Sequence, residues 1–217
     1  MSNKTYTRRQ VARGLGLATG ALIASPALAD AIATPEQTEG PFYPVVDQAD
    51  KDIDLTIIDG HTETATGDPI LVRGRVLNTA GQPLQDAVVD IWQANHHGRY
   101  SHPADNNPAP LDEHFQGWGI TTTDDQGYYG FKTILPGAYA LGRRASSPRR
   151  CRHIHYKVSH PDFSNLTTQM YFEGDPLMEE DIVLKNLSKE LWPLLTASKG
   201  VDGETGLPVY RFNIVLG

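Results

Sequence analysis

ILVRGRVLNTAGQPLQDAVVDIW, residues 70–92, sets the architecture. Ile70 to Leu77 is strand-like, Asn78-Thr79-Ala80-Gly81-Gln82-Pro83 is a turn, and Ala87 to Trp92 alternates apolar and polar positions again. The same grammar runs downstream. Trp118 to Thr123 reads as a strand, Asp124-Asp125-Gln126-Gly127 turns the chain into Tyr128 to Ile134, and Pro136-Gly137 breaks it before Ala138-Tyr139-Ala140-Leu141. Further strands are expected in RCRHIHYKV (150–158), at Leu166 to Phe172 and at Val209 to Leu216, with short helices confined to Glu179–Leu195. Short strands between Gly/Pro turns, with no long helical period, predict an all-β fold, an antiparallel β-sandwich. Residues 30–69 are polar and rich in turn formers, so they are expected to wrap the surface of the sandwich. Two segments are too long for economical connections, 93–117 (QANHHGRYSHPADNNPAPLDEHFQG) and 141–150 (LGRRASSPRR). Long loops on a rigid scaffold are where sites are built.

The N-terminus, MSNKTYTRRQVARGLGLATGALIASPALADA, places Arg8-Arg9 before a mildly apolar run and Ala27-Leu28-Ala29, a small-x-small cleavage site. It resembles a twin-arginine export signal over residues 1–29, implying an exported, periplasmic protein with one domain at 30–217. The run from Gly14 to Ala24 is too short to span a bilayer. Removing four of 19 basic and none of 26 acidic residues gives 15 − 26 = −11 for the mature chain. That balance argues against nucleic acid or an anionic membrane as partner. The single Cys151 excludes an internal disulfide, so stability must come from core burial.

RCRHIHYKV, residues 150–158, carries the chemistry. On a strand, His153 and His155 share one face while Arg152 and Ile154 share the other. Two imidazoles on one face suit a metal, but a bare pair is a weak signal. A structural zinc site needs several cysteines, and the chain has one. An oxygenase site of the two-His, one-carboxylate type needs an acid shortly after the pair, whereas Ser159 follows and the next acid is Asp162. A hydrolytic zinc site survives, with His96, His97, His102 or His114 as third ligand. Tyrosine phenolates are the other donors to weigh: they are hard and anionic, and two of them beside two histidines would select Fe(III).

TEGPFYP (38–44), VDIWQANHHGRYSHPAD (89–105), GWGITTTDDQGYYGFKTILPGAY (117–139), RCRHIHYKV (150–158) and LTTQMYFEGDPL (166–177) resemble the intradiol ring-cleavage dioxygenases, most of all their protocatechuate-cleaving branch. The terminal VYRFNIVL (209–216) adds to a likeness that spans residues 34–217. The resemblance implies a non-haem Fe(III) held by Tyr100, Tyr139, His153 and His155. It implies that O2 and a small aromatic diol, catechol, protocatechuate or a relative, are turned into a cis,cis-muconate-type diacid. By the same likeness Tyr139 gives way to the diol and takes up one of its protons, Arg150 lends positive charge to the substrate, and Gly40 and Pro41 approach it. Gln169 and Tyr171 alternate on their strand and are candidates to line the same pocket. Family pockets can include neighbouring chains, which leaves homo-oligomerisation open. The chain departs from the family at Cys151 and Arg152, before the histidine pair, and at Leu141, where an aromatic wall is usual. Residues 72–92 and 124–139 also resemble non-enzymatic transthyretin-like (prealbumin-like) sandwiches, in which a tyrosine at position 139 merely packs. Two other functions therefore stand beside the dioxygenase: an exported non-catalytic binding module and a zinc-dependent hydrolase.

Overall fold

The structure is a computed structural model that describes residues 31–48, 50–142, 144 and 146–217. The export-signal reading at 1–29 lies outside them. Among the described residues eleven strands run in chain order: β1 Pro69–Asn78, β2 Val88–Trp92, β3 Trp118–Thr122, β4 Tyr128–Ile134, β5 Tyr139–Ala140, β6 Arg149–Arg150, β7 His153–His160, β8 Phe163–Phe172, β9 Thr196–Val201, β10 Pro208–Arg211 and β11 Ile214–Leu216. Nine of them join in the order β11-β1-β10-β9-β8-β7-β2-β3, with β4 on the free edge of β1, while β5 and β6 pair separately. Of three 3-10 turns among the described residues, Leu184–Asn186 and Lys189–Leu194 lie within the segment where short helices are expected, and Met178–Glu180 begins one residue before it.

The long sheet folds over as a barrel-like sandwich whose end strands stay unpaired with each other among the described residues. Its β1/β4 half and its β2/β7/β8 half both send side chains to a common core that includes Val72, Val76 and Phe131 from one side and Ile91, Ile154 and Met170 from the other. Tyr129 and Tyr156 meet across it, ring centroids 6.1 Å apart. Burial of these apolar side chains is the main stabilising term in a chain without disulfides.

The expected antiparallel pattern holds for β1 with β4, β2 with β3 and β7, and β7 with β8. It fails at three pairings: β10 and β11 both run parallel to β1, and β9 runs parallel to β8. Alternation of side chains is the same in both kinds of strand, so sequence pattern does not separate them. The expected single strand at Val209–Leu216 is interrupted at Phe212 and Asn213. There Phe212 N–H donates to Arg73 C=O (2.9 Å) and Asn213 Oδ1 accepts from Arg75 N–H (3.0 Å), so the register along β1 carries on past the break. The break needs Gly74 opposite it, because a Cβ there would sit 1.7 Å from the Phe212 carbonyl oxygen. Strand β9, TASKGV, has no matching sequence expectation; Lys and Gly are poor strand formers, and its pairing with β8 and β10 holds it.

The wrapping segment divides in two. Residues 34–43 do lie across the sandwich, anchored by Gln37 N–H to Thr167 C=O (2.8 Å) and Thr168 Oγ1 to Pro35 C=O (2.7 Å). Residues 50–57 depart from the expectation. Leu55 is buried in the main core, because Leu55 N–H donates to Lys132 C=O and Lys132 N–H to Ile53 C=O, which docks the segment beside β4.

Candidate active site

Strands β2, β7 and β8 bury one face in the main core and turn the other toward residues 34–43 and the long loops. On that second face Trp92, His155 and Gln169 form one row across three strands, and His153 stands opposite Tyr171. The period-two reading of RCRHIHYKV is therefore correct: Ile154, Tyr156 and Val158 enter the core while the two histidines share the opposite face.

Tyr100 and Tyr139 arrive from the loops. The turn before Tyr100 is tied to the segment before Tyr139 by Gly137 N–H donating to Asn95 C=O (2.9 Å). Asp105 fixes the loop by accepting from Tyr100 N–H (2.7 Å) and Asn107 N–H (2.8 Å). Tyr139 is held at the other end, where β5 pairs it with Arg150 of β6. The four rings then converge: centroids are 5.8 Å apart for Tyr100 and Tyr139, 5.7 Å for Tyr139 and His153, 4.9 Å for His153 and His155, and 6.1 Å for Tyr100 and His155.

Hydrogen bonding sets the tautomer of His153. Its Nδ1 lies 2.7 Å from the Cys151 carbonyl, which can only accept, so Nδ1 carries the proton and Nε2 presents a lone pair. Tyr100 O–H lies 3.2 Å from that Nε2. His155 has no such anchor, as its Nδ1 is buried without a hydrogen-bond partner among the described residues. It is oriented instead by Trp92, stacked on it at 4.7 Å and 10°. Burial pushes both imidazoles well below their ordinary pKa, with Arg150 adding to the effect, so both are neutral. Burial also raises the Tyr100 phenol well above its ordinary value, with Tyr139 adding to it, and raises Tyr139 against the pull of Arg150. Two neutral imidazoles and two buried phenols that ionise only beside a strong positive charge make a donor set suited to a hard, highly charged cation.

Arg150 is buried at 5% exposure, not a surface cation. Its Nε pairs with Asp181 (2.9 Å) and its Nη2 donates to Gln169 Oε1. Asp181, fully buried, also accepts from the backbone N–H groups of Cys151, Val183 and Leu184, each at 2.9 Å. Sequence reasoning missed it, since an acid 31 residues from its partner carries no local signal. Arg152 departs from the strand expectation: it lies in a bend between β6 and β7, pairs with Asp175 (3.1 Å) and ties down the loop after β8, which gives it a structural role.

Gln169 and Tyr171 reach the histidine face but are tied to the N-terminal segment. Gln169 Nε2 donates to Thr38 C=O (2.8 Å), and Tyr171 O–H lies 3.0 Å from Gln37 Oε1. Gly40 takes φ +72°, a conformation glycine adopts freely, and a Cβ on it would sit 3.4 Å from His155 Cε1. Pro41 beside it is exposed. A second missed residue, Asp90, accepts from Tyr43 O–H and Trp118 Nε1–H, both at 2.8 Å, and so braces the rings around Trp92. His96 and His97 are exposed and pack on each other, 5.4 Å between centroids. A cleft of about 330 Å³ opens beside Tyr139, with Phe42, Asp105, Asn106, Pro108 and Leu141 in its wall.

A family model described as Dioxygenase matches residues 38–217. The protocatechuate 3,4-dioxygenase beta chain of Burkholderia cepacia is 40% identical over 179 residues, covering 81% of this chain and 76% of the relative. Catechol 1,2-dioxygenase 2 of Acinetobacter lwoffii is 35% identical over 165 residues, 68% of this chain and 54% of the relative, so the chain spans about half of that protein. Among solved structures, the dioxygenase domain of a dioxygenase carbohydrate-binding protein fusion from Streptomyces sp. SirexAA-E superposes with a TM-score of 0.61 at 28% identity, covering 85% of this chain and 98% of that one.

Proposed function

Because this chain belongs to the intradiol ring-cleaving dioxygenase family, we propose that it inserts both atoms of O2 into a catechol-type diol. The bond between the two hydroxyl-bearing carbons breaks, and a cis,cis-muconate-type diacid forms with no external reductant. In this reading Tyr100, Tyr139, His153 and His155 hold a non-haem Fe(III), and the all-β scaffold is of the transthyretin-like kind. The observation that carries it is the convergence of two buried phenols on two neutral imidazoles, with Tyr100 O–H 3.2 Å from a His153 Nε2 whose lone pair faces it. Ferric iron bound there would draw electron density from a chelated diol and give the ring its reactivity toward O2.

The chain's own residues do the rest. Tyr139 borders the cleft, so its phenolic oxygen is the group positioned to take a proton from an incoming diol. Arg150, locked by Asp181 and Gln169, keeps a fixed positive charge beside Tyr139, where negative charge gathers as the diol ionises. Trp92 and the segment around Gly40 close over His155 and exclude water from it. Export through the twin-arginine-type segment belongs to the same reading and is checked by periplasmic fractionation.

The visible spectrum of the purified holoprotein tests the proposal. Phenolate-to-Fe(III) charge transfer should colour it burgundy-red, and oxygen uptake should follow addition of a catechol. A colourless protein holding stoichiometric zinc would overturn it.

A further inference from the structure

We infer that Asp181, beyond its pairing with Arg150, is a positioning residue for His153, acting through the backbone of Cys151, with Asp175 completing the hold. The inference rests on the reading of the four-ring site as a metal centre with His153 among its ligands.

The bend formed by Cys151 and Arg152 carries it. These residues fall between β6 and β7, outside both ladders, so strand pairing does not set the orientation of their peptides. Two acids from the segment after β8 set it instead. On the peptide before Cys151, Asp181 Oδ2 accepts from Cys151 N–H (2.9 Å) and also from Arg150 Nε–H (2.9 Å). On the peptide after Cys151, Asp175 Oδ2 lies 3.4 Å from Arg152 N and 3.1 Å from Arg152 Nη1. Held on both sides, Cys151 turns its carbonyl onto His153 Nδ1 at 2.7 Å, the contact that fixes the tautomer and leaves Nε2 free to donate.

Burial makes this hold firm. Asp181 and Cys151 are fully buried and His153 almost so, and hydrogen bonds to an ionised carboxylate are stronger than those between neutral groups. Asp181 accepts four N–H groups, since Oδ1 takes those of Val183 and Leu184. An asparagine there has one acceptor oxygen and brings donors of its own, so it cannot satisfy the same set. The bend would then be free to turn the Cys151 carbonyl away, and His153 would lose its anchor.

The iron-loaded full chain tests this with Asp181→Asn, Asp175→Asn and Leu184→Ala. Visible absorption reads the ferric centre, and transfer of iron to a chelator reads how firmly it is held. Asp181→Asn should move the phenolate-to-Fe(III) band to longer wavelength, as His153 donates less to the metal, and release iron about tenfold faster or more. Asp175→Asn should act in the same direction by about threefold, and it carries the test if Asp181→Asn does not fold. Leu184 packs in the same buried cluster as Cys151, so Leu184→Ala should lower the thermal midpoint while leaving the band and the release rate unchanged. In the iron-free chain, imidazole NMR should show His153 protonated on Nδ1 in the parent and as a mixture of tautomers in Asp181→Asn. Parent-like band and release rate in both acid variants overturn the inference, and so does iron lost from Leu184→Ala as fast as from Asp181→Asn. A parent that binds iron without colour sinks the four-ring reading instead, and imidazole NMR then decides the anchoring of His153 by itself.

Discussion

Trp92 lies flat against His155, centroids 4.7 Å apart and planes 10° from parallel, and this contact replaces the hydrogen bond that orients His153. Trp92→Ala should therefore free the His155 ring as well as open a cavity. Loss of a buried Trp costs about 3–5 kcal/mol, and, on the proposed ferric site, iron retained per chain should fall to a minor fraction. Trp92→Phe keeps a flat ring in place and should hold most of the iron. Metal analysis beside thermal unfolding separates the two effects; full iron content in Trp92→Ala would show that stacking does not position His155.

The pairing of Arg150 with Asp181 is a buried ion pair whose acid also caps three backbone N–H groups. Asp181→Asn should destabilise the fold by about 3–5 kcal/mol, because the guanidinium is left buried without its counter-charge. Replacing both partners with apolar residues should recover part of that loss while leaving ring cleavage impaired. Urea unfolding of the parent and the two variants measures it, and a change below ~1 kcal/mol in Asp181→Asn would contradict it.

Gly74 faces the Phe212 carbonyl so closely that any side chain collides with backbone. Gly74→Ala should push β10 and β11 away from β1 and cost several kcal/mol, more than the ~1–3 of an ordinary overpacked site. Soluble yield and thermal midpoint report it. A midpoint equal to that of the parent would mean the junction yields freely.

Acid stability should depend on Asp202. Burial alone would raise its pKa, but the Thr205 hydroxyl and N–H and the Arg73 guanidinium, 2.6 Å away, outweigh it and hold the carboxyl below its usual 3.8. A folded-state value below the unfolded one means its stabilisation is complete above 3.8 and is lost as pH falls through the folded value. Asp202→Asn should thus be less stable near neutrality, and the gap to the parent should close as pH falls below 3.8 and through the folded value. Urea midpoints measured across that range decide it; a gap that stays constant would remove the carboxylate as its cause.

Residues 70–92 and the Gly/Pro turns were enough to establish short strands and a sandwich, because side-chain alternation is a local property of a half-buried strand. The same locality made His153 and His155 legible as a pair and separated Arg152 from them. Tyr100 and Tyr139 entered as partners of that pair through family resemblance, since nothing local marks a phenol as facing an imidazole. Tertiary structure alone decided the parallel pairings of β1 with β10 and β11, the docking of Leu55 in the core and the tie between Asn95 and Gly137 that brings the tyrosines together. It also decided that Arg150 is a buried cation, since Asp181 reaches it from a separate turn of the chain. Pairing direction and buried charge compensation depend on which distant segments meet. Alternation records only which face of a strand is dry.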